Sequence, residues 1–419
     1  MSAISLRTRD DCRLCGSRQL DQALSLNATP LANAFVTDAE LAVPQPRFPL
    51  NLWLCRACGH LQLRDVVDPE LLFRNYVYVS GTSPVFVEHF RRYAEAMLAF
   101  TRMPAGSAVV EIGSNDGTLL RFFQQAGMQV LGVDPARAIA AQATASGIST
   151  RPDFFTPEMA RALKRERWEA RLIAANNVFA HADDLGGMVD GVAHLLAPAG
   201  VFVFEVSYLV DVLDKLLFDT IYHEHVSYHT VTPLRDFFRR HGLELVDAIR
   251  VDPHGGSLRG IAQRLGGPWP VSPRVEELVA LERERGMASL ETYRTFHDRI
   301  AGLKAPLLEL LRSRKAQGRR IAGFGAPAKA TTLMFHFDIG PDLVDYVVDD
   351  SPWKQGLYSP GHHLPVRPAS ALYESSLRPN DALILAWNFA PSILAKHRAF
   401  LEGGGEFIVP LPALEVVKR

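Results

Sequence analysis

Val109-Val110-Glu111-Ile112-Gly113-Ser114-Asn115-Asp116-Gly117-Thr118-Leu119-Leu120 decides the fold. A β-branched run ends at Glu111, a glycine turn follows to Gly117, and an apolar-periodic helix begins near Thr118. Backbone N–H groups at the start of such a helix point outward at whatever binds there. The spacing is not that of a dinucleotide fingerprint, and Glu111 at the strand end would repel a pyrophosphate. A carboxylate in that place suits a ligand carrying an ammonium group. The next strand, Val130 to Asp134, ends in an acid placed to take two ribose hydroxyls.

Both features resemble the first and second motifs of class I S-adenosylmethionine-dependent methyltransferases. Their cofactor joins an amino-acid tail to a ribose and has no phosphate. The resemblance implies cofactor contacts at Glu111, Gly113, Asn115, Asp116, Gly117, Asp134 and Pro135. Asp153 and Phe154 stand where this fold often supplies adenine contacts.

At 419 residues the chain predicts two or three domains. Hydrophobic content of 47% and charged content of 22% describe a globular protein. A net charge of −1 gives no electrostatic case for a nucleic-acid partner and permits a monomer or weak oligomer. No apolar run is long enough to cross a bilayer, and Met1 to Arg7 lacks a signal-peptide core, so the cytoplasm is the expected compartment.

The 4 cysteines form two C-x-x-C knuckles, Cys12 with Cys15 and Cys55 with Cys58. Disulfides are disfavoured in a reducing compartment. Four thiolates on two tight turns instead predict a closed, structural zinc site in a small ribbon-like hairpin domain. His60 is a spare candidate ligand, read first as a solvent-side turn residue.

Tyr76 to Pro84 is aromatic and hydroxyl-rich, and precedes a helix over 85–100; it reads either as a plain linker or, from its place just before the cofactor strand, as a lid. Leu172 to His181 and Gly200 to Val206 read as the fourth and fifth strands, which brings Asn176, Asn177 and Glu205 to the crevice with Glu111 and Asp134. Tyr222-His223-Glu224-His225 lacks zincin spacing, and a partly buried histidine beside a phenol and a carboxylate reads as a general base. His254 to Gly260 is a polar loop whose Ser257 and Arg259 suit an anionic substrate. The stretch 275–311 is helical by period and reads as a connector. From Arg320 a second strand, Gly-x-Gly turn and helix carries Lys329 in its first turn, a nest competent for phosphate.

Taken in order, these motifs resemble the three-domain nucleotide-sugar C-methyltransferases over nearly the whole chain. The resemblance implies a zinc-binding domain over 1–70, a Rossmann-like methyltransferase domain over 71–250 and a second Rossmann-like α/β domain over 251–419 that meets the substrate nucleotide and diphosphate. It implies methyl transfer from S-adenosylmethionine, giving S-adenosylhomocysteine, to a carbon beside the ketone of a deoxysugar linked to dTDP, or less favourably GDP. His225 is the expected base, with Tyr222 positioning it, Glu224 on a sugar hydroxyl or amine, and His181 on the enolate oxygen. Tyr76, Ser80, Thr82, Ser83, Glu205, His254, Ser257, Arg259 and Lys329 are the expected substrate contacts. Members for antibiotic sugars commonly carry Asp at the position of His223. An O- or N-methyltransferase, or a sugar-nucleotide-binding adaptor, is the alternative.

Overall fold

The computed structural model describes residues 6–74, 76, 79–82, 84–252 and 255–419. The chain forms two compact units that interleave along the sequence. One comprises Met1–Asp21, Trp53–Asp211 and Val226–Ser289, the other Gln22–Leu52, Val212–His225 and Leu290–Arg419.

The first unit is built on a seven-stranded sheet. Its strands are β1 (Ala108–Ile112), β2 (Gln129–Val133), β3 (Thr150–Arg151), β4 (Ala170–Asn176), β5 (Leu196–Ser207), β6 (Leu243–Val251) and β7 (Ser257–Arg264). They lie in the order β6-β7-β5-β4-β1-β2-β3, with β7 antiparallel to both neighbours and β1 to β5 paired in parallel. This is the class I methyltransferase sheet, as the sequence predicts. The central strands are buried on both faces, so they read as continuous apolar runs rather than alternating ones. Helix α1 (Pro84–Thr101) buries Phe86, Phe90, Tyr93, Ala94 and Met97 at intervals of three and four. These residues pack with Val109, Leu120, Phe123, Val246 and Ile261 in one core.

Register fixes the crevice. Ile112 pairs with Ala175 and Glu205 with Asn176, so β1, β4 and β5 deliver Glu111, Asn176 and Glu205 to neighbouring strand ends. Helix α2 (Thr118–Gln125) starts immediately beyond the turn.

The second unit contains a six-stranded sheet. It comprises β8 (Ile321–Phe324), β9 (Tyr346–Val348), β10 (Val366–Arg367), β11 (Asp381–Ile384), β12 (Glu406–Val409) and β13 (Glu415–Val417), in the order β10-β9-β8-β11-β12-β13. Only β13 is antiparallel. The chain leaves β8 toward β9 and returns to its other side at β11, which makes the second Rossmann-like sheet. Helix α3 (Leu290–Ala316) buries Tyr293, Phe296, Ile300, Leu307 and Leu311, and helix α4 (Ala328–His336) follows β8. Among the described residues no helix is long and apolar enough to cross a membrane.

The first turn tolerates no side chain at Gly113. Its φ is +68°, and an added Cβ would stand 2.2 Å from Val178 Cγ2. Gly113→Ala is therefore expected to destabilise the protein by about 1–3 kcal/mol. Calorimetry checks this, and an unchanged thermal midpoint would contradict the turn geometry.

Candidate cofactor crevice, metal centre and reactive loop

Glu111 is buried at the end of β1, and burial pushes its carboxyl well above the usual range. Asn176 Nδ2 donates to its Oε1 at 3.5 Å. Glu111 Oε2, Asn176 Oδ1 and Ser114 Oγ have no hydrogen-bond partner among the described residues. Unmet acceptors at the mouth of a parallel sheet call for a donor-rich ligand, since an unsatisfied buried polar atom costs about 1–3 kcal/mol. An ammonium group and ribose hydroxyls supply such donors, so the crevice fits S-adenosylmethionine. Asp134, beyond the end of β2, accepts from Asn115 N and Ala136 N, both at 2.8 Å. Burial raises its carboxyl against those two bonds. Pro135 follows it, and Asn177, held at φ +55°, donates its N–H to Glu205 O at 2.8 Å.

The expected lid is tied to this turn. Ser80 N donates to Asn115 Oδ1 at 2.9 Å and Gly81 N to Asp116 Oδ2 at 3.0 Å. The side chains of Asn115 and Asp116 thus hold the 80–82 turn, a role that their motif does not disclose. Tyr76 stands 6.0 Å from Phe73, ring to ring, and His181 stacks on Phe73 at 5.3 Å. Ser83 and His254 lie outside the described residues, and only the backbone of Thr82 falls within them.

Several expected contacts have protein partners instead. Glu205 accepts from Arg259 Nε at 2.6 Å and from His89 Nε2 at 2.7 Å. Burial alone would raise its carboxyl, but His89 and Arg259 outweigh that and hold it below the usual range. Arg259 also lies over the Tyr93 ring at 4.4 Å. Glu205 and Arg259 therefore neutralise each other, where the sequence suggested two separate substrate contacts. Asp153 is paired with Arg74 at 3.0 Å, and the same guanidinium covers the Phe154 ring at 4.6 Å. Ser257 opens β7 opposite Ser207.

The cysteines converge. Cys12 and Cys58 sulfurs are 3.6 Å apart, Cys15 and Cys55 3.5 Å, and all four lie within 4.8 Å of one another. Sulfurs at the corners of a zinc tetrahedron stand about 3.8 Å apart. The donor set fits a closed structural zinc site. His60 is fully buried, with Nε2 3.3 Å from Ser227 Oγ, so it is not the solvent-side residue its position beside the knuckle suggests.

The Tyr222 to His225 loop belongs to the second unit. His225 Nδ1–H donates to the Thr220 carbonyl at 2.7 Å, because a carbonyl oxygen only accepts. Nε2 is then the bare nitrogen, and it accepts from the Tyr222 hydroxyl at 3.0 Å. Burial lowers the His225 pKa to about 4 against the Thr220 bond. Glu224 accepts from Asn33 Nδ2 at 2.7 Å, and His223 is buried against Phe48. Lys354 Nζ donates to Ala326 O at 2.8 Å, and burial lowers its pKa against the charges of Asp349 and Glu224.

Lys329 does not present a free ammonium. It lies 3.7 Å from Asp219 Oδ2 and 4.4 Å from the centre of the Trp387 ring. Asn33, His89, Asp219 and Trp387 are partners of the candidate residues that sequence reasoning missed. Asp219, three residues before the Tyr222 motif, carried the most accessible signal.

Three family models match consecutive stretches: a zinc binding domain over residues 12–73, a methyltransferase domain over 86–248 and a C-methyltransferase C-terminal domain over 252–412. The C-methyltransferase NovU of Streptomyces niveus is 38% identical over 413 residues, 98% of each chain. The chain belongs to this C-methyltransferase family. It is an S-adenosylmethionine-dependent methyltransferase with a zinc-binding amino-terminal region. Among solved structures, magnesium protoporphyrin IX methyltransferase from Synechocystis PCC 6803 with bound SAH is similar over 42% of this chain and 83% of its own, at 15% identity and a TM-score of 0.33. The PH0226 protein from Pyrococcus horikoshii OT3 is similar over 45% and 94%, at 13% identity and a TM-score of 0.37.

Two measurements follow from this geometry. Metal analysis is expected to find one zinc per chain, with chelation lowering the thermal midpoint; a metal-free protein of unchanged midpoint contradicts the structural site. Glu111→Gln keeps the shape of the crevice but removes its charge. Calorimetry is expected to show S-adenosylhomocysteine binding weakened by about 10-fold, the scale of one charge-assisted hydrogen bond.

Proposed function

We propose that this enzyme methylates a carbon next to the ketone of a 4-keto deoxysugar linked to a nucleoside diphosphate, dTDP favoured over GDP. The observation that carries the reading is the state of His225: neutral, fixed in one tautomer, with Nε2 held as an acceptor. A carbon acid beside a ketone needs a positioned base that is unprotonated at neutral pH. The relationship to NovU, itself a C-methyltransferase, supports carbon as the acceptor.

When bound, S-adenosylmethionine supplies an electrophilic methyl group. With the Tyr222 hydroxyl turned from Nε2 to the substrate, the freed Nε2 lone pair of His225 takes the α-proton, while Thr220 O fixes the ring through Nδ1–H. His181 is assigned to the enolate oxygen and Glu224 to a sugar hydroxyl or amine. Tyr76, Ser80, Thr82, Ser83, His254 and Ser257 are assigned to the rest of the substrate. Glu111, Gly113, Asn115, Asp116, Gly117, Asp134, Pro135, Asp153, Phe154, Asn176 and Asn177 line or shape the cofactor site, and Cys12, Cys15, Cys55 and Cys58 hold the zinc. The limits of 1–70, 71–250 and 251–419 belong to the same proposal with the second boundary moved, because β7 (Ser257–Arg264) completes the first sheet and the first unit runs to Ser289; a monomer or weak oligomer belongs to it too. Four thiols kept for a metal support a reducing, cytoplasmic setting.

Incubation in D2O with a dTDP-linked 4-keto-6-deoxysugar tests the reaction class. Deuterium is expected to enter the carbon beside the ketone, and His225→Gln is expected to abolish both this exchange and turnover. Methylation of an oxygen or nitrogen without carbon exchange would establish the alternative. Binding of S-adenosylhomocysteine and dTDP without turnover would point to an adaptor.

The pH profile is a separate prediction. His225 must be neutral to act, and its folded pKa is about 4. The acid limb of kcat/KM is therefore expected near pH 4 to 5, well below the ordinary histidine value of about 6.5. Stability shifts in the same direction: the unfolded chain takes up the proton first, so the folded state loses ground as pH falls from about 6.5 toward 4. An acid limb at 6.5 or above would contradict the neutral-base assignment.

A further inference from the structure

Two parallel strands of the second sheet, β8 and β11, end side by side at its topological switch point. Open α/β sheets place their ligands in this crevice, outside the carboxyl ends of the strands. Here it is lined by Lys329 in the first turn of α4, after β8, and by Trp387, just after β11. A lysine ammonium and an indole N–H that converge on one point offer two donors to an anion. The anion is already part of the chain. Trp387 Nε1 donates to Asp219 Oδ2 at 2.6 Å, with Lys329 Nζ 3.7 Å from the same oxygen and held over the indole ring.

The segment carrying Asp219 runs directly into the reactive loop. Phe218 packs on Phe337 at 5.1 Å and on His336 at 5.6 Å, ring to ring. Thr220 supplies the carbonyl that fixes His225. Thr332 Oγ1, one turn along α4 from Lys329, donates to Ile221 O at 2.7 Å. Three successive residues, 219 to 221, are thus each bound: Asp219 to Lys329 and Trp387 at the switch point, Thr220 to His225, and Ile221 to Thr332 of α4.

We propose that the second sheet's ligand crevice is filled by the chain's own Asp219, and that Lys329, Trp387 and Thr332 are positioning residues that set the Tyr222–His225 pair. This rests on the reading of His225 as the base. It reassigns Lys329 from substrate diphosphate to the loop.

The energetics favour a positioning role over one in stability. Asp219 Oδ1 has no partner among the described residues. Burial pushes the Asp219 carboxyl up and the Lys329 ammonium down, each opposed by the other's charge. A buried ion pair with one oxygen unmet is often no more stable than an apolar replacement, and its best-attested use is to fix one arrangement among several. A displacement of about 1 Å at a reacting group costs on the order of 100-fold in rate, so this arrangement has kinetic weight.

The test uses the zinc-loaded full chain carrying Lys329→Met, Asp219→Asn, Trp387→Phe or the double variant of Lys329 and Asp219. With a dTDP-linked 4-keto-6-deoxysugar, each single variant is expected to lose about 10- to 100-fold in kcat. Affinities for S-adenosylhomocysteine and for dTDP alone are expected to stay within about twofold, while Lys329→Arg recovers most of the rate. The double variant should be no slower than the slower single one, because the two groups act as a unit. A readout without substrate is the 15N shifts of the His225 ring: pure Nδ1–H tautomer in the native chain, a mixture in Lys329→Met. Trp387→Phe keeps an aromatic ring but loses the indole's five-membered ring with its N–H, and covers the case in which Lys329→Met does not fold. A loss of dTDP affinity in Lys329→Met with kcat retained would make Lys329 a diphosphate contact and overturn the proposal. So would unchanged kcat and an unchanged tautomer. If His225→Gln keeps its turnover, the reading of the base fails, and the tautomer in Lys329→Met still decides the clamp.

Discussion

A parallel strand that turns into a helix leaves backbone N–H groups pointing into the crevice, and both Rossmann-like sheets of this chain depend on how those groups are met. Each uses an aspartate from beyond the tip of the neighbouring strand. Asp134 accepts from Asn115 N and Ala136 N; Asp349 accepts from Ala326 N at 2.6 Å and Ser351 N at 2.8 Å. In both turns a glycine N–H reaches the end of that neighbouring strand, Gly113 to Val133 O and Gly325 to Val348 O, each at 2.7 Å. With the turn so anchored, the residues around it are free to set the sign of what the crevice accepts. The first presents Glu111 and its unmet oxygen, a demand for donors. The second presents Lys329, a demand for an anion. One turn geometry, repeated, stands beside unmet acceptors in one unit and beside a lysine paired with the Asp219 side chain in the other.

The parts of this design that the sequence discloses are those encoded over short spans. The strand, glycine turn and helix around Glu111 lie within a dozen residues, and each cysteine knuckle within four, so local chemistry was enough to read them. The class I sheet follows from the order of such segments. The partners of charged side chains were not legible, because they come from remote positions that no period or spacing links. Trp387 and Asp219 are 168 residues apart, and Glu205 and Arg259 are 54 apart. A lysine after a Gly-x-Gly turn reads as a phosphate ligand until the carboxylate that already occupies it is seen. His60 shows the same limit for burial: a histidine beside a turn reads as exposed, yet it is covered by a segment near Ser227.

Charge pairing separates structural from reactive acids. Glu205, held by His89 and Arg259, has its ionised form stabilised on both oxygens and keeps little capacity for a substrate. Glu111 is equally buried but among the described residues has a long bond from Asn176 and one unmet oxygen, so its environment leaves it needing a partner. Both carboxylates stand at strand ends of the same sheet, and the sequence gives no way to rank them. The hydrogen-bond inventory does.

The reactive loop carries the same logic to the proton. A histidine that is to accept a proton from carbon must be neutral beforehand and must hold one nitrogen bare. Burial secures the first condition, pushing the His225 pKa down to about 4. The Thr220 carbonyl secures the second, since it binds only an Nδ1–H. Burial that keeps the base neutral also makes its protonated form costly, so a proton taken from substrate cannot rest there for long. The Tyr222 hydroxyl stands 3.0 Å from Nε2. A base so poised is only as good as the placement of Thr220, and Thr220 sits between Asp219 and Ile221, the two residues that the second sheet grips. With His225 as the proposed base, the order of those three residues links the second fold to the placement of the imidazole.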